Sequence, residues 1–245
     1  MKNKWFSASL VIACVVSLSG FGFAAACPTG TMMDYIGTGF TCTIANPNNP
    51  NDVKTFSNWF YQGTANPPNF ALPPGSVGVV PQTQAFDPGF RFSAPWSVST
   101  MSGVLSMNSD IDYGITVTGG LITDVSLAIG GYNFSGTGSV QVDESLCIGA
   151  LFAANGSCSG REAHLHVYDN GSGLVAFNEI TFAGVTQVGV EKDILVDAGT
   201  NGGAALSLVF NNVSEQGTTP EPASILLFGS GALALAGVLR RKLKH

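Results

Sequence analysis

The chain is short of cations. Ten lysines and arginines stand against sixteen carboxylates in 245 residues, and six of those ten lie at the two ends. Between residues 27 and 219 only Lys54, Arg91, Arg161 and Lys192 oppose fifteen acidic side chains, a net charge of −11 that the whole-chain value of −6 conceals. Binding to a phosphate backbone is driven by clustered Lys and Arg that displace counterions, so nucleic acid is not an expected partner. Charge of either sign is scarce. Charged residues make up 11% of the chain where about a quarter is usual, which leaves a surface of neutral Gly, Ser, Thr and Asn. Such a surface suits contact with polysaccharide or with copies of itself, and composition does not choose between them.

The motifs of familiar enzymes are missing as well. There is no Gly-x-Ser-x-Gly elbow, phosphate loop or His-Glu-x-x-His helix, and no enzyme class is indicated. The segments between the cysteines lack a Cys/His zinc spacing, so neither a structural zinc nor another cofactor is expected. Long apolar runs are absent except at the termini.

At the N-terminus Lys2 and Lys4 lead into an apolar stretch from Trp5 to Phe23 that closes on Ala24-Ala25-Ala26. Small residues at the −3 and −1 positions, Ala24 and Ala26, predict a signal peptide over 1–26, read by the Sec translocon and cut after Ala26. Cys27 stands where a lipoprotein carries its lipidated cysteine, but Ala24 replaces the large aliphatic residue usual in those signals. Cys14 leaves with the signal peptide. The four remaining cysteines, Cys27, Cys42, Cys147 and Cys158, are an even number, as expected in an oxidising compartment. Three pairings are possible. The short loops favour Cys27 with Cys42 and Cys147 with Cys158, each contributing about 3 kcal/mol by the chain-entropy argument.

At the other end Pro220-Glu221-Pro222 precedes fifteen uncharged residues from Ile225 to Leu239 and then Arg240, Arg241, Lys242 and Lys244. This tail, 220–245, resembles the PEP-CTERM sorting signal, whose motif, transmembrane helix and basic end occur in that order. A helix of that length spans about 22 Å, short of the roughly 30 Å hydrocarbon core. A transient stop tolerates that mismatch better than a permanent anchor does. The basic cluster is expected to stay in the cytoplasm, which leaves Pro-Glu-Pro at the outer face of the inner membrane. Both prolines remove a backbone donor and keep the recognition segment extended. A GPI signal lacks the final basic cluster, and no Leu-Pro-x-Thr-Gly sortase pentapeptide is present. The resemblance implies an exosortase as partner and a route through an inner-membrane intermediate to the surface of a Gram-negative bacterium, often one that makes exopolysaccharide. The stretches 92–98, 136–140 and 192–194 also resemble other members that carry this tail, without bringing any functional residue.

Residues 27–219 remain as a single expected domain. From Cys27 to about Pro74 the Asn/Pro breakers predict loops with one or two short strands. Beyond Gly75, apolar alternation punctuated by Gly predicts eight to eleven antiparallel strands in an all-β, two-sheet sandwich, jelly-roll-like, with no amphipathic helix. Ile111, Tyr113, Ile115 and Val117 share one face and Asp110, Asp112, Gly114 and Thr116 the other. Pairing Val117 with Leu121 puts Leu121, Thr123, Val125, Leu127 and Ile129 on that same apolar side, which predicts a three-residue hairpin loop with Gly120 left-handed. Val140, Val142 and Leu146, Ile194 and Val196, and Leu206, Leu208 and Phe210 alternate in the same way.

Four groups carry chemistry to weigh. Glu162, His164, His166 and Tyr168 share a strand face, and His164 and His166 are weak metal candidates because the third histidine, His245, lies past the sorting tail. Solvation of a polar face explains them better. Asp110, Asp112 and Asp124 are candidates for calcium or for charges that discourage edge aggregation. Trp59, Phe60, Tyr61 and Trp96 are candidates for a sugar-stacking platform or for core packing. No catalytic residue is nominated. The reading is a non-enzymatic, structural or adhesive surface protein of an exopolysaccharide or biofilm layer, with a carbohydrate-binding or carbohydrate-active domain as the alternative. Comparing the intact mass and location of the protein in strains with and without the exosortase tests the sorting: the strain lacking it is expected to retain residues 220–245 at the membrane, and an identical C-terminus in both strains rejects it.

Overall fold

The structure is a computed structural model, and it describes residues 25–47, 49–83 and 87–217. The signal segment to Ala24, the sorting motif Pro220 to Pro222, the basic cluster Arg240 to Lys244 and the two helices expected at the termini lie outside the described residues. Fourteen strands run through the described residues in chain order: β1 (Gly30–Thr31), β2 (Cys42–Asn46), β3 (Asn49–Asn66), β4 (Gly78–Gln82), β5 (Gly89–Thr100), β6 (Ser106–Thr118) and β7 (Gly120–Gly130). The second half supplies β8 (Asn133–Gly136), β9 (Ser139–Ile148), β10 (Arg161–Asp169), β11 (Leu174–Val175), β12 (Phe177–Val185), β13 (Gln187–Asp197) and β14 (Gly202–Gly217). One helical turn, Met32–Tyr35, plugs an end of the core with Met32 and Tyr35.

Sheet I has the order β11-β10-β9-β13-β6-β3-β2, and sheet II the order β1-β4-β5-β14-β7-β12, with β8 also on β14. All these pairings are antiparallel. Among the eight long strands from β5 onward, the pairs β5·β14, β6·β13, β7·β12 and β9·β10 nest inside one another. That nesting, one long hairpin wound around a common core, is a jelly roll.

The winding overturns the expected β6–β7 hairpin. β6 lies in sheet I and β7 in sheet II, so Gly119 turns a corner between sheets, and Gly119 rather than Gly120 is left-handed, with φ 83°. The β6 faces are as the alternation predicts, with Ile111, Tyr113, Ile115 and Val117 buried. On β7 the register slips across Thr123, because Ser214 faces Asp124 while Glu215 faces Ile122. Ile122 therefore turns inward beside Val125, Leu127 and Ile129, and Leu121 turns outward. A second slip between Leu206 and Leu208 sends Val209, Asn211 and Val213 inward in place of Leu208 and Phe210. Each slip moves a whole run to the opposite face, because strand side chains alternate with a period of two.

The segment expected to be mostly loop contains β3, eighteen residues long. Its Asn and Pro residues misled the reading: Pro50 sits at the strand start, and Asn58, with φ 57°, occupies a bulge between Ser57 and Phe60. The bulge turns Trp59 into the core, where it stacks on Tyr113 at 4.7 Å, and leaves Phe60 outside. The two disulfides join Cys27 to Cys42 and Cys147 to Cys158.

The interior is aromatic at one end. Tyr35, Phe56, Trp59, Phe90 and Tyr113 meet in tilted and edge-on contacts, which favour ring edges over ring faces. Trp96 is fully buried and donates Nε1–H to Ser109 Oγ at 3.0 Å; the Tyr61 hydroxyl meets the same oxygen. Replacing Trp96 by Ala is expected to lower unfolding free energy by about 3–5 kcal/mol, read as a smaller denaturant midpoint.

Candidate functional site

The outer face of sheet I carries a groove of about 880 Å³. Its floor follows from cross-strand register. One row reads Gln62, Asp110, Asp193, Asp143 and His166 across β3, β6, β13, β9 and β10. The next reads Phe60, Asp112, Glu191, Ser145 and His164 across the same strands. Five carboxylates thus occupy neighbouring positions on three strands, with like charges directly opposite one another, an arrangement that costs stability.

The third row is made of small residues, and this builds the groove wall. Gly114 faces Gly189, which faces Cys147. Residues 149–160 fold back over these positions, held by the Cys147–Cys158 bridge and by hydrogen bonds from Ala153 N–H to Ser157 and from Gly189 N–H to Ala150. A Cβ on Gly189 would lie 2.7 Å from the Phe152 nitrogen, and one on Gly114 2.9 Å from Leu151 Cδ2. The glycines leave room for Leu151 and Phe152 to stand against the sheet. Phe60, about half exposed, forms the opposite rim.

Burial and then neighbouring charge shift the carboxyls of the floor. Desolvation first, then the charges of Glu191 and Asp110, raise the Asp112 carboxyl from its ordinary 3.8 to about 7, against a hydrogen bond from the Lys192 backbone. Desolvation and then Asp110 and Asp143 raise Asp193, and desolvation and then Glu162 raise Glu191. Asp110 is raised by desolvation. Asp112 therefore keeps its proton to about pH 7 and can donate a hydrogen bond from the floor.

The earlier candidates sort as follows. His166 Nδ1 lies 2.6 Å from Asp143 Oδ1, and His164 Nδ1 3.2 Å from Ser145 Oγ, at the edge of the same face. The tetrad with Glu162 and Tyr168 is a polar outer face, with His166 and Tyr168 rings 4.9 Å apart. Among the described residues no group of three or more His, Cys, Asp or Glu side chains is arranged to hold a metal ion. Asp124 lies on sheet II, away from Asp110 and Asp112, so the three do not form one calcium set. Of the aromatic platform only Phe60 is outside; Tyr61 and Trp96 are buried and Trp59 packs inward. Ala26 is exposed and bridges Thr43. Sequence reasoning missed Asp143, Ser145, Glu191 and Asp193. Alternation on β9 and β13 marks them as outward, but only register places them beside β6.

The strand order defines a jelly-roll sandwich, and the comparisons place the chain's tail. Residues 218–242 match the PEP-CTERM protein-sorting motif. The chain thus carries the signal of proteins exported with the help of an exosortase to the surface or exterior of Gram-negative bacteria, through a membrane-anchored intermediate. No curated protein matches the chain. Among solved structures it is similar to TmCBM61 in complex with β-1,4-galactotriose, at 11% identity and TM-score 0.30 over 62% of this chain and 86% of that one. It is also similar to the enzymatically active domain of bacteriophage CBA120 tailspike protein 4, at 14% identity and TM-score 0.27 over 62% of this chain. The chain spans 19% of that tailspike domain. Likenesses this distant carry no argument about ligand or activity.

The proton held by Asp112 makes stability depend on pH. The unfolded chain releases it near its ordinary value and the folded protein near pH 7. Folding takes up a proton between the two, so stability falls as pH rises through that window. Thermal melting is expected to be higher at about pH 5 than at about pH 8, and Asp112→Asn to flatten the difference. An unchanged slope in the variant removes Asp112 as its source.

Proposed function

We propose that the sorted domain is a structural and adhesive component of an exopolysaccharide or biofilm layer that holds neutral glycan in the sheet I groove. The observation that carries this reading is the groove: an open trough with Phe60 on one rim, a fixed loop wall on the other, and a floor of hydroxyl-pairing carboxylates. An aromatic face packs against the C–H face of a sugar, and carboxylates accept hydrogen bonds from its hydroxyls. The excess of negative charge repels uronic acids and phosphate, which restricts the ligand to neutral sugars. Purified protein is expected to bind neutral exopolysaccharide with micromolar-to-millimolar affinity. Phe60→Ala and Asp193→Asn are each expected to weaken binding about tenfold, equivalent to about 1.4 kcal/mol. Absence of binding across a broad panel of neutral glycans overturns the proposal.

The carboxylates themselves favour a second reading, a carbohydrate-active site. Asp112 keeps its proton to about pH 7, as a general acid must, beside acidic neighbours, and glycoside hydrolysis uses such a pair. New reducing ends released from a bound glycan by the wild type but not by Asp112→Asn would select it; unchanged chain length would discard it.

A further inference from the structure

Three charged or amide side chains meet where the two sheets face each other. Lys192 on β13 and Glu144 on β9 are direct cross-strand partners in sheet I, and both side chains are completely buried. Lys192 Nζ donates to Glu144 Oε2. From sheet II, Asn211 on β14 is also fully buried and donates Nδ2–H to Glu144 Oε1 at 3.0 Å and to the Ser126 carbonyl at 2.9 Å. The Tyr113 hydroxyl donates to Asn211 Oδ1. One carboxylate thus holds an amine on one oxygen and an amide on the other, while a phenol polarises the amide carbonyl.

We propose that Lys192 and Asn211 react to form an intramolecular amide that joins β13 to β14 across the sandwich, with Glu144 as the proton carrier. Lys192 Nζ attacks Asn211 Cγ. The charge that develops on Oδ1 is stabilised by the Tyr113 hydroxyl, as an oxyanion is by a fixed donor. Glu144 takes a proton from Nζ at Oε2 and delivers one to Nδ2 from Oε1; the Cγ–Nδ2 bond breaks and ammonia leaves. Atoms balance as amine plus primary amide giving secondary amide plus ammonia, and no oxidant or other reagent is needed.

Three features of the site favour the step. Burial pushes the Lys192 ammonium well below its ordinary value, which supplies the neutral amine that a nucleophile requires. Burial pushes the Tyr113 phenol up, so it remains a donor. The product leaves a neutral amide where an ionisable amine, costly to desolvate when charged, stood in a dry core, and ammonia escapes to solvent. Asn211 is the acceptor rather than Glu144 because its carbonyl alone receives the phenol and because ammonia leaves an amide with the proton that Glu144 supplies.

Tryptic mapping of the denatured full chain tests the proposal. The expected result is no cut after Lys192, and a peptide beginning at Glu162 that contains both residues and is about 17 Da lighter than its sequence, with fragment ions linking Lys192 to Asn211. Cutting after Lys192 with unmodified masses overturns it. A loss of about 18 Da in which Lys192 is joined to the separate peptide carrying Glu144 overturns the choice of Asn211. Glu144→Gln preserves the shape of the side chain. With its circular dichroism unchanged, this variant is expected to be cut after Lys192; a folded variant that still forms the link overturns the role of Glu144.

Discussion

The fold depends on how one polar bridge is accommodated in an apolar interior. Lys192 and Glu144 have no access to water, and a buried charge without a partner costs several kcal/mol. They can be paired only if β13 lies beside β9 in the observed register, and Glu144 can be satisfied on both oxygens only if β14 of the other sheet brings Asn211 to the same depth. Asn211 in turn spends its remaining hydrogen bonds on Tyr113 of β6 and Ser126 of β7. Five strands from both sheets are thereby tied to one register. A one-residue slip in any of them would bury an unpaired charge or amide, a larger cost than the loss of any single apolar contact of the surrounding aliphatic side chains.

That register is also what assembles the groove. The strand positions that put Lys192 opposite Glu144 on the inner face put Glu191 and Asp193 opposite Ser145 and Asp143 on the outer face. Core and site are thus opposite faces of the same pairing. The repulsion among the carboxylates is tolerated because the inner face holds the strands where they are. The proton that desolvation lets Asp112 keep relieves part of it. The glycine row serves the same end, since Gly114 and Gly189 let the disulfide-held loop lie on the sheet.

The sequence showed the faces of β6, β9 and β13 because simple alternation is a local property. It did not show partners. Val117 and Leu121 are close in the chain and look like a hairpin, but the nested pairing of a jelly roll gives β6 to β13 and β7 to β12 and β14, and nothing local to residues 110–129 records that choice. The slips at Thr123 and beyond Leu206 escaped for a related reason: a bulge is fixed by the strand opposite, and it moves Ile122 and Asn211 to the inside without altering composition. Asn211 is the costliest of these errors, since an asparagine amid Leu208, Val209 and Phe210 reads as an outward residue. Phe60 was legible as an aromatic candidate, whereas its separation from Trp59 and Tyr61 required the bulge at Asn58. The carboxylate floor combines Asp110 and Asp112, singled out early, with Asp143, Asp193 and Glu191 from strands distant in the chain.

The export route and the core fit one sequence of events. A chain carrying a PEP-CTERM tail is exported through a membrane-anchored intermediate. The two disulfides close short loops, with sequence separations of 15 and 11, and can form from residues already near one another. The bridge among Lys192, Glu144 and Asn211 unites strands far apart in the chain and exists only once both sheets have closed. Local staples therefore constrain the chain early, while the long-range one marks completion of the sandwich. A covalent bond at that place would lock β14, the strand that leads directly toward the sorting tail, to the middle of the other sheet, so that pulling on the tail at the membrane would load the core through β13 instead of unzipping β14 from its ladders with β5 and β7.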